Sequence, residues 1–281
     1  MDTATAFFLE SRDGSLRYLN LFKPAATVPA RGLVLLVPPW LEELNRSRRM
    51  LALGADALRQ AGFTVVWPDL FGCGDSAGEH GEARWQTWLE DLDLALDRLR
   101  QEGEPDSPLW LWSLRSGALL ACDFAQRRQL ACHWLMWQPQ ASGEQVLQQF
   151  LRLRLAADMS RSERSYPDTA AMRQALQAGQ ALHGAGYVVR PELALPLAAT
   201  QLKPPGGVAG ARLVWCEMAS AATQTLGPAS RQHIEAWRAA GYQPRTICVQ
   251  GPQFWASQEV ALSRGLIDGS LRALCAEEAF A

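Results

Sequence analysis

The chain has 281 residues, of which 48% are hydrophobic and 20% are charged, and its formal net charge is −2. This length is enough for one large domain with a well-buried core. The balanced charge offers no basic surface for nucleic acid, and no apolar run approaches the length of a membrane span. We therefore expect a soluble protein with no nucleic-acid partner and no membrane span.

Predicted strands and helices alternate along the chain, which favours a mostly parallel, doubly wound sheet with helices on both faces. The predicted strands are 7–10, 17–22, 32–37, 63–67, 109–112, 133–137, 211–216 and 246–249. The predicted helices are 47–61, 85–99, 117–127, 229–240 and 262–277. The first two strands form a hairpin because a D-G turn joins them.

One stretch, 140–205, interrupts the alternation. It is rich in Gln, Arg and Ala and helical in tendency. We interpret it as a helical cap over the carboxyl edge of the sheet, where open α/β sheets place their sites. A helical hairpin that covers no pocket is the alternative. The predicted organisation is a core of 1–139 and 206–281 with a cap of 140–205.

The six cysteines form no CxxC pair, so neither a zinc site nor a thioredoxin-like motif is expected. Free cysteines in apolar runs fit a reducing cytoplasm, and the N-terminus shows no signal peptide. The sequence predicts a cytoplasmic protein with no metal site and no cofactor.

A sharp strand-to-helix turn is predicted at Ser113-Leu114-Arg115-Ser116-Gly117. The pattern small-x-nucleophile-x-small marks the nucleophile turn of the α/β-hydrolase fold, and its centre here is Arg115. Centring the motif on Ser116 would put Leu114 at a flank that should be small. Arginine stays protonated and has no lone pair to offer, so it cannot be the nucleophile.

The other catalytic positions of this fold also look vacant. The order along the chain is nucleophile, acid, then a histidine after the last strand. The histidines are residues 80, 133, 183 and 233, and the loop after the last predicted strand contains none. His233 falls within a predicted helix, which favours a surface or packing role. Glu217 is the candidate acid.

The segment 38–49 follows the strand that provides an oxyanion-hole amide in this fold. Its Glu42 and Glu43 would oppose a developing oxyanion. A guanidinium buried at position 115 needs a carboxylate partner, and the candidates are Glu42, Glu43, Glu217 and Glu259. The alternative is that the two loop carboxylates are merely solvated.

The loop 68–78 matches D-x-x-G-x-G-x-S and supports the same fold through its turn residues. Its Cys73 is a weak nucleophile candidate because nothing nearby in sequence lowers its pKa. Two tryptophans fall in loops expected at the rim of a pocket, while the remaining tryptophans are expected in the core. The predicted ligand pocket comprises Trp40, Glu42, Glu43, Arg115, Ser116, Phe254 and Trp255.

Three segments resemble a single family: PPWLEELNRSRRM (38–50), VVWPDLFGCGDSAGEHGEARWQTWLEDL (65–92) and LWLWSLRSGALLA (109–121). A fourth, GPQFWASQEV (251–260), is a weaker match. Together they resemble the exosortase A system-associated hydrolase family, type 2, over most of the chain outside the cap. The resemblance implies an α/β-hydrolase fold and partners among exosortase-system or exopolysaccharide proteins. It does not supply a nucleophile.

Three hypotheses follow. The first is a non-hydrolytic pseudoenzyme that binds a small anionic or acyl ligand, with Arg115 at a helix N-terminus able to hold an anion. If a loop glutamate neutralises that guanidinium, the ligand is apolar. The second is an active serine hydrolase, esterase or acyltransferase that uses Ser113 or Ser116. The third is a pure interaction partner of the exosortase machinery.

Overall fold

The computed structural model describes residues 4–158, 165–184, 186–206, 209–219 and 225–276. Ten strands lie within these ranges: β1 (Thr5–Glu10), β2 (Leu16–Phe22), β3 (Gly32–Val37), β4 (Phe63–Pro68), β5 (Leu109–Leu114), β6 (His133–Trp137), β7 (Leu182–Gly184), β8 (Tyr187–Val189), β9 (Arg212–Ala219) and β10 (Gln243–Gln250). Eight of them form one sheet in the order β1-β2-β4-β3-β5-β6-β9-β10.

The sheet is parallel from β4 to β10, while β2 pairs antiparallel with both β1 and β4. The continuous apolar runs at its centre fit strands that are buried on both faces. Val37 pairs with Ser113, which brings the carboxyl ends of β3 and β5 side by side. The predicted mostly parallel, doubly wound sheet and the N-terminal hairpin are confirmed.

Eight helices accompany the strands in the described ranges: α1 (Glu42–Gln60), α2 (Trp85–Gln101), α3 (Gly117–Arg128), α4 (Gly143–Asp158), α5 (Thr169–Gln177), α6 (Pro191–Ala199), α7 (Pro228–Ala239) and α8 (Arg264–Cys275). Helices α1 and α8 pack on one face of the sheet, and α2, α3 and α7 pack on the other. The apolar stripes of these two sets of helices cover the two halves of the core, one on each face of the sheet.

Tryptophans fill much of this core, as the sequence predicted for those outside the rim loops. Trp112 and Trp137 meet edge to face under α1, with ring centroids 4.7 Å apart. Trp134 and Trp237 do the same on the opposite face at 5.1 Å. All four are almost completely buried. Such pairs contribute packing energy beyond the area they remove from water.

The insertion between β6 and β9 contains α4, α5, the β7–β8 hairpin and α6. It is mostly helical, as predicted, but the hairpin was not predicted. Its strands have three residues each, too few for an alternating pattern to show. Helix α4 packs against both α5 and α6.

Two predicted boundaries are wrong in ways that matter for the site. Helix α1 begins at Glu42 rather than at residue 47, because Leu41 takes a positive φ of 53° and turns the chain directly into the helix. Strand β9 continues to Ala219, so Glu217 lies within the strand and not after it. The residues that follow β9, 220–224, and residue 277 at the predicted end of the last helix lie outside the described ranges.

Candidate functional site

The turn between β5 and α3 has the sharp geometry that the sequence predicted, and it centres on Arg115. This residue has a φ of 52°, a left-handed conformation that costs energy for any residue with a side chain. Its backbone N–H donates to Trp137 O at 2.9 Å. A Cβ on Gly117 would stand 2.5 Å from Val37 O and 2.7 Å from Pro38 O, which explains the small flank. We call residues 113–117 the elbow.

The Arg115 side chain is held by a carboxylate and an aromatic ring. Its Nε donates to Glu43 Oε1 at 2.9 Å, and its guanidinium carbon lies 5.2 Å from the centroid of the Trp255 ring. The Arg115 and Glu43 side chains are 16% and 20% exposed. Low exposure and the stacked ring strengthen this ion pair relative to a surface one.

Of the four carboxylates considered as partners, Glu43 is the one that contacts the elbow. Glu42 instead accepts from Tyr187 Oη at 2.8 Å and lies 3.5 Å from Arg46 Nε. Glu217 accepts from the indole of Trp215 at 2.8 Å, and Glu259 is exposed. Helix α1 begins at Glu42, five residues earlier than predicted. This early start places the Glu43 carboxylate over the elbow.

Ser116 connects the elbow to the loop after β3. Its Oγ accepts from the backbone N–H of Trp40 at 2.9 Å and donates to Glu43 Oε2 at 3.4 Å. In this fold, an N–H from that loop helps to form the oxyanion hole. Here the Trp40 backbone N–H already donates a hydrogen bond to the Ser116 hydroxyl. Ser113, the other candidate nucleophile, is 1% exposed within β5, and its Oγ has no hydrogen-bond partner among the described residues.

The histidines all lie elsewhere, and none makes a contact with the elbow within the described part of the chain. His80 Nδ1 donates to Val188 O at 3.0 Å, and burial lowers its pKa. His133, at the amino end of β6, accepts from the backbone of Arg212. Burial, helped by that arginine, lowers the pKa of His133 to about 4. His183 is on β7, and His233 stacks on Trp215, which fits its predicted packing role.

The loop after β10 carries aromatic side chains where this fold normally places its histidine. Trp255 covers the Arg115 guanidinium and is itself almost fully buried. Phe254 is completely buried and packs edge-on against Trp137 and Trp255. Phe254, which was predicted to line the ligand pocket, thus lies in the core beneath the elbow with no surface exposed to solvent.

A cavity of about 100 Å³ opens between the elbow, the start of α1 and the insertion. We call it the elbow cavity. From the core it is lined by Trp40, Leu41, Glu42, Glu43 and Ser116. From the insertion it is lined by Gln140, Tyr187 and the α4 residues Val146, Gln149, Phe150 and Leu153. Trp40 and Phe150 meet with ring centroids 5.4 Å apart. Leu153, 62% exposed, lies at the mouth.

The structure therefore brings together four of the predicted pocket residues: Trp40, Glu42, Glu43 and Ser116. Arg115 and Trp255 are not part of the lining but contact each other directly behind Glu43. That any of these residues binds a ligand stays a prediction.

Tyr187 is the cavity residue that sequence reasoning missed. Its hydroxyl donates to Glu42 Oε1 and accepts from Asn45 Nδ2, each at 2.8 Å. Burial and this carboxylate raise its pKa. The contact fixes the β7–β8 hairpin on α1 and so forms one wall of the cavity. No motif surrounds Tyr187, and only the fold of the insertion reveals its position.

Cys73 is the remaining nucleophile candidate. Burial raises the pKa of Cys73 to about 12, with the Asp69 carboxylate acting in the same direction, so its thiol stays protonated at neutral pH. Within the described ranges, His, Cys, Asp and Glu side chains form no group of three or more suited to a metal ion. Every helix in those ranges is too short or too polar to cross a bilayer.

Comparison with known proteins places this site in a familiar fold. Residues 29–158 match the family model described as serine aminopeptidase, S33. No curated protein sequence matches the chain. Among solved structures, a putative hydrolase from Agrobacterium vitis is 14% identical, with a TM-score of 0.60 and coverage of 96% of this chain and 97% of that one.

Two further structures show the same likeness. A soluble variant of monoglyceride lipase from Saccharomyces cerevisiae, solved with a substrate analogue, is 12% identical with a TM-score of 0.59, covering 98% of this chain and 94% of that one. An α/β serine hydrolase without a lid, from Xanthomonas campestris, is 16% identical with a TM-score of 0.53 and the same coverage, 98% and 94%. These matches confirm that the chain has the α/β-hydrolase fold.

Proposed function

We propose that this protein is a non-hydrolytic member of its fold that binds an apolar, acyl-type ligand in the elbow cavity. One observation carries the proposal. The position of the nucleophile is taken by Arg115, whose guanidinium is held by Glu43 and covered by Trp255.

Hydrolysis by the usual route lacks several of its parts. A guanidinium cannot attack a carbonyl, and no imidazole contacts the elbow in the described part of the chain to act as general base. The Trp40 amide, which would stabilise an oxyanion, is bonded to Ser116 Oγ. Glu43 adds a negative charge at the place where negative charge would develop.

An apolar ligand fits the lining better than an anion does. The cavity wall contributed by α4 includes Val146, Phe150 and Leu153. The described residues that line the cavity include two glutamates and no lysine or arginine. The nearby cation, Arg115, already forms an ion pair with the Glu43 carboxylate. Burial of a hydrocarbon chain against these side chains provides the affinity, at about 25 cal/mol per Å² of apolar surface removed from water.

Labelling with a fluorophosphonate probe tests the absence of hydrolytic chemistry. We expect no stoichiometric adduct on the purified protein, measured by intact mass, and no turnover of p-nitrophenyl esters above background. A serine hydrolase of the same fold serves as the positive control. Stoichiometric labelling that disappears in Ser116→Ala or Ser113→Ala would refute the proposal.

The second candidate function, a serine hydrolase or acyltransferase, is favoured by one contact: Ser116 Oγ donates to Glu43 Oε2 at 3.4 Å and lines the cavity. Glu43 would then act as the general base. Its Oε1 is already bonded to Arg115, and a 3.4 Å separation from Ser116 Oγ is a long hydrogen bond. Labelling that depends on both Ser116 and Glu43 would support this candidate.

We also propose a cytoplasmic role among exosortase-system or exopolysaccharide proteins. The support is the resemblance of segments 38–50, 65–92 and 109–121, which includes the α1 start and the elbow. Affinity purification of the tagged protein from its own cells tests it. Recovery of exosortase-system or exopolysaccharide proteins, compared with an untagged control, is the expected result.

A further inference from the structure

Glu43 stands between the one cation at the elbow and the elbow cavity. Its two carboxylate oxygens are divided: Oε1 accepts from Arg115 Nε, and Oε2 accepts from Ser116 Oγ. Glu43 lines the cavity and Arg115 does not. A ligand that enters the cavity therefore meets a carboxylate first, with the guanidinium behind it.

This arrangement opposes a ligand with a carboxylate head. Such a head would have to displace Glu43 from Arg115, or lie beside it as a second negative charge. Both cost free energy, because the first breaks the ion pair and the second places like charges side by side. A neutral head meets no such obstacle.

Two other lining residues, Gln140 and Gln149, carry side-chain amides that suit a neutral head. Gln140 Nε2 donates to Gln149 Oε1 at 3.4 Å. A hydroxyl or an amide can both donate and accept, whereas a carboxylate only accepts.

We infer that Glu43 is the specificity-determining residue of this cavity, selecting chains with a neutral hydroxyl or amide head over chains that end in a carboxylate. The inference rests on the proposed function, since it assumes that an apolar chain enters the cavity. It goes further by naming the head group and the residue that discriminates.

Ligand-observed NMR titrations with hexanol, hexanamide and hexanoate test the inference at neutral pH, where hexanoate is ionised. The three probes share a short chain, as a cavity of about 100 Å³ requires. We expect the wild-type protein to bind hexanol and hexanamide and to bind hexanoate at least about tenfold more weakly, the range of one charge-assisted hydrogen bond.

The variant Glu43→Gln should reverse the preference, because it keeps the shape of the side chain and frees the guanidinium. Hexanoate affinity should rise about tenfold or more, again the worth of one charge-assisted hydrogen bond. The double variant Glu43→Gln/Arg115→Met should lose that gain and keep hexanol binding. Glu259→Gln is the control, since Glu259 is an exposed carboxylate that does not line the cavity. It should leave the preference unchanged.

The outcomes separate the two levels of the proposal. If the wild-type protein binds none of the probes, the proposed function fails, and the inference fails with it. If it binds hexanol but binds hexanoate equally well, or if folded Glu43→Gln gains no hexanoate affinity, the inference alone is wrong. Should Glu43→Gln not fold, Arg115→Gln gives the converse test: the unpaired Glu43 should improve hexylammonium binding about tenfold, and no improvement would overturn the inference.

Discussion

Gly117→Ala tests whether the close crossing at the elbow holds the fold and the cavity together. Gly117 is the first residue of α3, and its backbone angles suit any amino acid, so the glycine is required only for space. An added Cβ would lie 2.5 Å from Val37 O and 2.7 Å from Pro38 O. Both atoms are backbone carbonyls at the end of β3, which cannot rotate away as a side chain would.

Two effects of opposite sign set the size of the change. Alanine is favoured over glycine in a helix by up to about 1 kcal/mol, and less at the first position. Overpacking a rigid site costs about 1–3 kcal/mol. Because two backbone atoms must move together, we expect a net loss of about 2 kcal/mol in the free energy of unfolding. The same movement carries Trp40 away from Ser116 Oγ and should weaken hexanol binding.

Urea unfolding followed by tryptophan fluorescence measures the stability. The midpoint should fall while the denaturant slope stays constant, since the surface exposed on unfolding does not change. Gly265→Ala is the control: Gly265 lies at the start of α8, and the nearest atom to an added Cβ is 3.9 Å away. Its stability should equal or slightly exceed that of the wild-type protein. A Gly117→Ala protein as stable as this control would refute the proposed crossing.

Two further predictions concern buried groups away from the cavity. Asp91→Asn should destabilise the fold by about 3 kcal/mol in urea unfolding, because Arg17, 1% exposed, loses the carboxylate that lies 2.5 Å from its Nε. The control is Asp93→Asn, on the same helix as Asp91, which breaks a surface pair with Arg128 of α3 and should cost less than about 1 kcal/mol. Equal losses in the two variants would contradict this. Burial raises the pKa of Cys73 to about 12. Its thiol should therefore resist iodoacetamide at pH 8 in the native protein and react once the chain is unfolded, as measured by peptide mass mapping. Equal reaction rates in the native and unfolded protein would show an accessible thiol and contradict this.

Much of the fold could be predicted because its signals are local. Continuous apolar runs identified the buried strands, and the small flanks at Ser113 and Gly117 centred the elbow on Arg115. The absence of a histidine after the last strand could also be seen directly. These features depend on residue type and spacing over short distances.

The composition of the site could not be predicted to the same depth. The carboxylate that pairs with Arg115 depends on where α1 begins, and that is set by the positive φ of Leu41, a residue that rarely adopts it. The cavity wall depends on Tyr187, which reaches α1 from a hairpin too short to leave a pattern. Phe254 was predicted to line the ligand pocket, but its ring is completely buried.

The hydrogen bond from the Trp40 amide to Ser116 Oγ has a consequence for anyone who would engineer a hydrolase on this scaffold. Installing a serine at position 115 and a histidine after β10 would restore the nucleophile and the base, but the polarising amide would remain occupied by a neighbouring hydroxyl. Loss of one oxyanion-hole donor costs about 10²–10³ in rate, so removing that hydroxyl and neutralising Glu43 would be needed as well for full activity. Single substitutions at this site are therefore not expected to restore full hydrolysis. The nucleophile, the base, the free amide and the neutral position 43 would have to be introduced together.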